Sequence, residues 1–121
     1  MSDKPDFDWS QAASLLGDDP QDVPEDMAAI AQELVETTAQ RLQELKEKKL
    51  EADRKVIGGL AHQIRGSLLN FGFTGVAAVL WKIEKTEYTA EEYDKMLVEI
   101  DSLFAESTQM LAERYPTLRF S

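Results

Sequence analysis

Cysteine is absent from the 121 residues, and histidine occurs once, at His62. Without thiols there is no disulfide framework, thiolate nucleophile, zinc finger or iron-sulfur ligation, and the absence is compatible with a reducing compartment. A single imidazole cannot build a facial triad, a His-x-x-x-His zinc site or a bis-histidine haem within one chain. Basic residues are outnumbered by acids, 13 against 23, for a net charge of −10. That balance opposes a nucleic-acid backbone or an anionic lipid surface, and no run of Lys and Arg gathers on one face to offset it. Neither nucleic acid nor membrane is expected as a partner. The N-terminus lacks an apolar signal core, and no apolar run approaches the ~18 residues of a membrane span. A soluble cytoplasmic protein is expected. No stretch of alternating β-branched residues is long enough to read as a strand.

What is present fits one domain over residues 1–121, since a domain commonly runs to roughly 100–200 residues, with 1–7 expected to be a flexible tail. The acidity is uneven: residues 1–27 hold eight acids against Lys4, net −7, which leaves a nearly balanced −3 for the rest.

Helical periodicity dominates from residue 24 onward. A short first helix opens at Asp8, where Asp8 and Gln11 have capping-box spacing, and stops at Gly17. A second begins near Pro24, with Glu25 and Asp26 suited to its positive end and an apolar stripe of Met27, Ile30, Leu34, Thr38, Leu42 and Leu45. The stripe loses phase around Leu50 to Asp53, and Asp53 is a suitable N-cap for a third helix carrying Ile57, Leu60, Ala61, Ile64, Leu68 and Phe71. Gly72 is placed to end it. A fourth helix from Thr74 to Lys85 turns Val76, Val79, Leu80 and Ile83 inward. The fifth starts at the capping box Thr89-Ala90-Glu91-Glu92 and ends before Pro116. The expected fold is all-α, an antiparallel up-down-up-down four-helix bundle with the short first helix across one end.

At about 100° per residue, His62 falls nearly opposite the centre of the third helix's apolar face. A lone histidine is commonly a hydrogen-bonded core side chain, but this periodicity argues against that. Its neighbours on the outward face are Gly58, Gly59, Arg65, Gly66 and Leu69. Each interior glycine costs roughly 1 kcal/mol against Ala, so three of them suggest clearance for something that docks closely. For Gly58 and Gly59 a helix kink fits equally well. A neutral imidazole carries one unprotonated, nucleophilic nitrogen. Arg65, one turn along, favours an anionic object such as phosphate.

The segment Ala61-His62-Gln63-Ile64-Arg65-Gly66-Ser67, followed by Asn70-Phe71-Gly72, resembles the signature of histidine-containing phosphotransfer (HPt) domains. Phe71-Gly72-Phe73-Thr74 and Glu84 are most similar to the HPt domain of chemotaxis histidine kinases. The resemblance implies that His62 accepts a phosphoryl group on Nε2 from a receiver aspartate or a histidine kinase and passes it to another receiver aspartate. It implies that Arg65 steadies the group, that Gly66 leaves room for the receiver, and that Glu84 orients the imidazole through Nδ1. A flank residue paired with a neighbouring Lys is the alternative for Glu84. Large Leu68 and Leu69 depart from the family's small residues. Leu68 points to the core, whereas Leu69 shares the His62 face and bears on partner choice.

The resemblance also implies a phosphotransfer intermediate without a catalytic centre of its own. It implies no bound cofactor, Mg²⁺ on the partner receiver, and a monomer. A helical adaptor that binds a kinase or receiver without being phosphorylated is the competing expectation. A metal or haem bundle has little support, since Gly59 stands where Glu-x-x-His would need its Glu.

Overall fold

The structure, a computed structural model, describes residues 5–120. It contains five helices and, among the described residues, no strand: α1 (Trp9–Leu16), α2 (Glu25–Glu47), α3 (Leu50–Asn70), α4 (Thr74–Lys85) and α5 (Ala90–Arg114). The all-α class follows the helical periodicity. The most extensive packing is α3 on α4, followed by α4 on α5 and α2 on α3, while α1 touches α2 and α3. Phe73, Leu45, Ile57, Ile64, Leu68, Leu80, Ile100 and Leu111 lie fully buried at the centre. No helix among the described residues is long and apolar enough to cross a membrane.

Helix ends obey local chemistry, with two departures from expectation there and a third inside α2. Asp8 caps α1 by accepting the Gln11 N–H at 3.2 Å. The Gln11 side chain, however, does not return to Asp8. It donates to the Asn70 carbonyl at 3.2 Å, so the capping box is half used and the other half ties α1 to the end of α3. The second departure is Asp53. It stands at a kink, φ −120°, ψ 20°, where a first turn from Leu50 meets the main helix that opens after Asp53 as expected. The kink accounts for the lost phase of the apolar stripe. What departs is the Asp53 side chain, which does not cap that helix. Its carboxylate accepts the Lys49 N–H at 3.2 Å, supplying a partner to the backbone just ahead of the helix. The helix runs unbroken through Gly58 and Gly59. Thirdly, Ile30 on α2 is 45% exposed, and Ala31 takes its place in the core with Thr38, Leu42 and Leu45. The capping box at Thr89 and Glu92 is complete.

The tail expected over residues 1–7 falls partly on 1–4, which lie outside the described residues. Residues 5–7 do not behave as a tail. Pro5 is buried, the Gly75 N–H donates to the Asp6 carbonyl at 3.0 Å, and the Asp8 N–H donates to the Gly72 carbonyl at 2.8 Å. Phe7 packs between Trp9 and Phe73, its ring tilted to both, with centroids 4.2 and 5.1 Å away, and the Arg114 guanidinium lies over Trp9 at 5.3 Å. This strap is held because aromatic area leaves water while its backbone groups find partners.

The strap crosses the turn between α3 and α4. There the Phe73 N–H bonds to the Leu68 carbonyl and the Gly72 N–H to the Leu69 carbonyl, the paired pattern of a Schellman ending, with Gly72 at φ +90°. Two tyrosines fasten the rest: the Tyr93 hydroxyl donates to the Leu45 carbonyl at 3.1 Å and the Tyr115 hydroxyl to the Gly17 carbonyl at 3.0 Å. Burial pushes the Tyr93 phenol up to about 12, so it remains a donor at any ordinary pH.

Candidate functional site

His62 lies outward on α3, its side chain 65% exposed, as the helical phase of its neighbours requires. Its Nδ1 stands 2.6 Å from Oε1 of Glu84, which projects from the last turns of α4 and is only 10% exposed. The other carboxylate oxygen, Oε2, accepts Nε–H of Arg65 at 2.9 Å. His62, Arg65 and Glu84 are therefore brought together, with Glu84 clamped between two donors on α3. The tight α3–α4 turn sets the register that lets residues 62 and 84 meet.

The protonation pattern follows from counting donors and acceptors. Arg65 Nη2 also approaches Nδ1, at 3.4 Å, but a guanidinium can only donate. If Nδ1 accepted from Arg65, Glu84 would have to be the protonated partner in its 2.6 Å contact. Burial of the Glu84 carboxyl acts to raise its pKa, yet the hydrogen bonds and charges of Arg65 and His62 outweigh burial and hold it below its usual 4.5. Glu84 is thus the carboxylate, Nδ1 carries the proton, and the 3.4 Å approach is a contact between two donors. In the neutral ring this leaves the lone pair on Nε2. Nη2 of Arg65 remains beside the ring.

That arrangement has a pH consequence. A carboxyl depressed on folding contributes stability that is present above its unfolded value and lost as pH falls through the folded one. Glu84→Gln is therefore expected to narrow its stability gap from the parent chain as pH drops below about 4. Thermal unfolding measured from pH 7 to pH 3 checks this; a gap independent of pH counts against the clamp.

Around the triad lie the other residues singled out from the sequence. A Cβ added at Gly58, Gly59 or Gly66 would meet nothing within 4 Å, so packing within the chain does not demand these glycines. Leu69 is 37% exposed while Leu68 is fully buried. Leu69 lines a shallow hollow with Arg65, Thr74, Ala77, Ala78 and Trp81, and Trp81 is 46% exposed. Trp81 was not singled out from the sequence. Its position three residues before Glu84, hence on the same face of α4, was the available signal. Lys85, the lysine next to Glu84, has its Nζ 3.5 Å from Oε1, while Glu84 itself is only 10% exposed and so is not a solvated flank residue. Among the described residues, no group of three or more His, Asp or Glu side chains is placed to hold a metal ion.

The five helices thus present one outward imidazole held against a largely buried carboxylate. The Hpt domain family model matches residues 21–113, most of the chain, and the chain belongs to that family. Membership places it in two-component phosphorelay signalling, among domains that interact with histidine kinases and receiver domains. Comparison with curated proteins and with solved structures gives no match.

Proposed function

We propose that the chain is a phosphorelay carrier in which His62 is the phosphoryl acceptor, and that α2 to α5 form an antiparallel up-down-up-down bundle with α1 across one end. The observation that carries the reading is a 65% exposed imidazole whose Nδ1 lies 2.6 Å from the Glu84 carboxylate, so that Nε2 is the nitrogen left to attack. In the forward step the Nε2 lone pair attacks phosphorus, the Nε2–P bond forms, and the P–O bond of the donor's aspartyl phosphate breaks with its electron pair going to the donor carboxylate. No proton moves. The positive charge that develops on the ring is met by Glu84. In the return step an acceptor carboxylate attacks phosphorus and the pair of the Nε2–P bond returns to Nε2.

Short connections between long helices support the bundle, since they favour antiparallel neighbours. The residues of this chain do not fit the Mg²⁺ that accompanies the transfer, because Glu84 is already bonded to His62 and Arg65. The ion belongs on the partner receiver, and the chain acts as a cytoplasmic monomer without a catalytic centre or bound cofactor. Gly58, Gly59 and Gly66 provide clearance for the partner. Leu69 and Trp81 provide apolar contact beside Arg65.

Arg65 neutralises part of the roughly −1.5 to −2 charge that a phosphoryl group adds. Arg65→Ala is expected to slow transfer about tenfold, the scale of one charge-assisted hydrogen bond, with helicity by circular dichroism unchanged. Transfer kinetics equal to the parent's would remove Arg65 from this role. The proposed function itself is tested by incubating the chain with a phosphorylated receiver or a cognate kinase and mapping the product. Acid-labile, base-stable phosphate on His62 is the expected result. A receiver that binds tightly yet never transfers label would replace the carrier with a non-phosphorylated adaptor.

A further inference from the structure

Glu84 Oε1 serves two groups: it accepts Nδ1–H of His62 at 2.6 Å, and Lys85 Nζ stands 3.5 Å from it. The two cations at this carboxylate differ in how they are held. The side chain of Arg65 is 21% exposed and donates Nε–H to Oε2 at 2.9 Å, a fixed geometry. Lys85 is 53% exposed, lies beyond ordinary hydrogen-bond range, and ends a flexible stem with three rotatable donors. The imidazole already holds Oε1 through the shorter contact, so Lys85 is the weaker claimant on that oxygen and gives up little by leaving it. A phosphoryl group on Nε2 brings roughly −1.5 to −2 of further charge to the ring that Glu84 holds, and Nε of Arg65 is already committed to Oε2 at 2.9 Å.

We propose that Lys85 is a second phosphoryl-binding residue, which leaves Glu84 and pairs with the phosphoryl oxygens when His62 is loaded. This rests on the carrier reading above. It assigns to the last residue of α4 a part beyond favourable placement at a helix C-terminus.

Phosphoramidate tests it without a protein partner. Its P–N bond breaks as Nε2–P forms, and the bond's electron pair leaves with ammonia. The full chain and the variants Lys85→Gln, Lys85→Arg and Lys82→Gln are labelled, with phosphohistidine followed by ³¹P NMR and folding by thermal unfolding. Lys82 is the control: it has the same charge on the same helix, in a hollow lined with Thr86, Tyr88 and Lys95. Lys85→Gln is expected to take label about two- to fivefold more slowly, the scale of one exposed ion pair. The deficit shrinks at high salt, Lys85→Arg restores the rate, and Lys82→Gln labels as the parent does. Equal rates in Lys85→Gln and the parent, or an equal loss in Lys82→Gln, overturn the proposal and leave the carrier reading standing. Absence of label on His62 in the parent chain brings both down.

Discussion

His62→Gln is expected to remove phosphoryl acceptance altogether, with or without a protein donor, while shifting stability by no more than about 1 kcal/mol. The first half follows from chemistry. An amide nitrogen has its lone pair delocalised into the carbonyl, so glutamine offers no nucleophile where Nε2 stood, and the chain holds no second imidazole and no thiol to substitute. The second half follows from exposure. The ring is 65% exposed and buries little apolar area, and exposed ion pairs are worth about 0–1 kcal/mol. Glutamine can also still donate toward Glu84. Labelling with phosphoramidate and with a phosphorylated receiver, alongside thermal unfolding, reads both halves. Residual acid-labile phosphate in the variant would locate the acceptor elsewhere.

The largest expected effect on stability lies at the turn between α3 and α4, away from the chemistry. At Gly72, φ is +90°, and an added Cβ would stand 2.2 Å from the Asp8 carbonyl oxygen and 3.1 Å from Phe7 Cε1. Both obstacles are costly to move: one is backbone, and the other is a ring wedged between Trp9 and Phe73. Gly72→Ala must strain the left-handed conformation, at about 1–2 kcal/mol, and push the strap away, losing the Asp8–Gly72 hydrogen bond and part of the Phe7 packing. A total of about 2–4 kcal/mol is expected, a fall in Tm on the order of 10 °C. Gly58→Ala provides the opposite sign. Its Cβ meets nothing within 4 Å, so the better helix propensity of alanine should raise stability by roughly 0.5–1 kcal/mol. A Gly72→Ala chain as stable as the parent would mean that the strap is not held at this turn.

Much of this was legible in the sequence because its signals are local. Thr89 with Glu92, Gly17 and Gly72 each announce a helix end through chemistry that acts within a few residues. The outward placement of His62 follows from the apolar stripe of its own helix. What was not legible depends on contacts distant in the chain. Gln11 has the right spacing to complete its own cap, yet a carbonyl 59 residues away takes its amide. Pro5 to Phe7 carry no periodicity, and their docking is decided by glycines at positions 72 and 75. Ile30 fits the α2 stripe by count but not by neighbours, for the α2 surface that packs runs through Ala31 and Thr38. The part of Trp81 is not legible because it depends on where α4 lies against α3.

His62, Arg65 and Glu84 all sit within one helical hairpin, separated by no more than 22 residues, and α3 and α4 share the most extensive packing in the molecule. Closing a short loop between neighbouring helices is quick, and proteins rich in such contacts fold in microseconds to milliseconds. The strap and the Tyr115–Gly17 bond, by contrast, join points as far as 98 residues apart and carry a larger loop-closure entropy. The order of assembly that follows puts the imidazole clamp first and the closing of the chain's two ends last. Amide exchange at Asp8 and Gly75, whose N–H groups hold the strap, is then expected to be faster than in the α3–α4 hairpin.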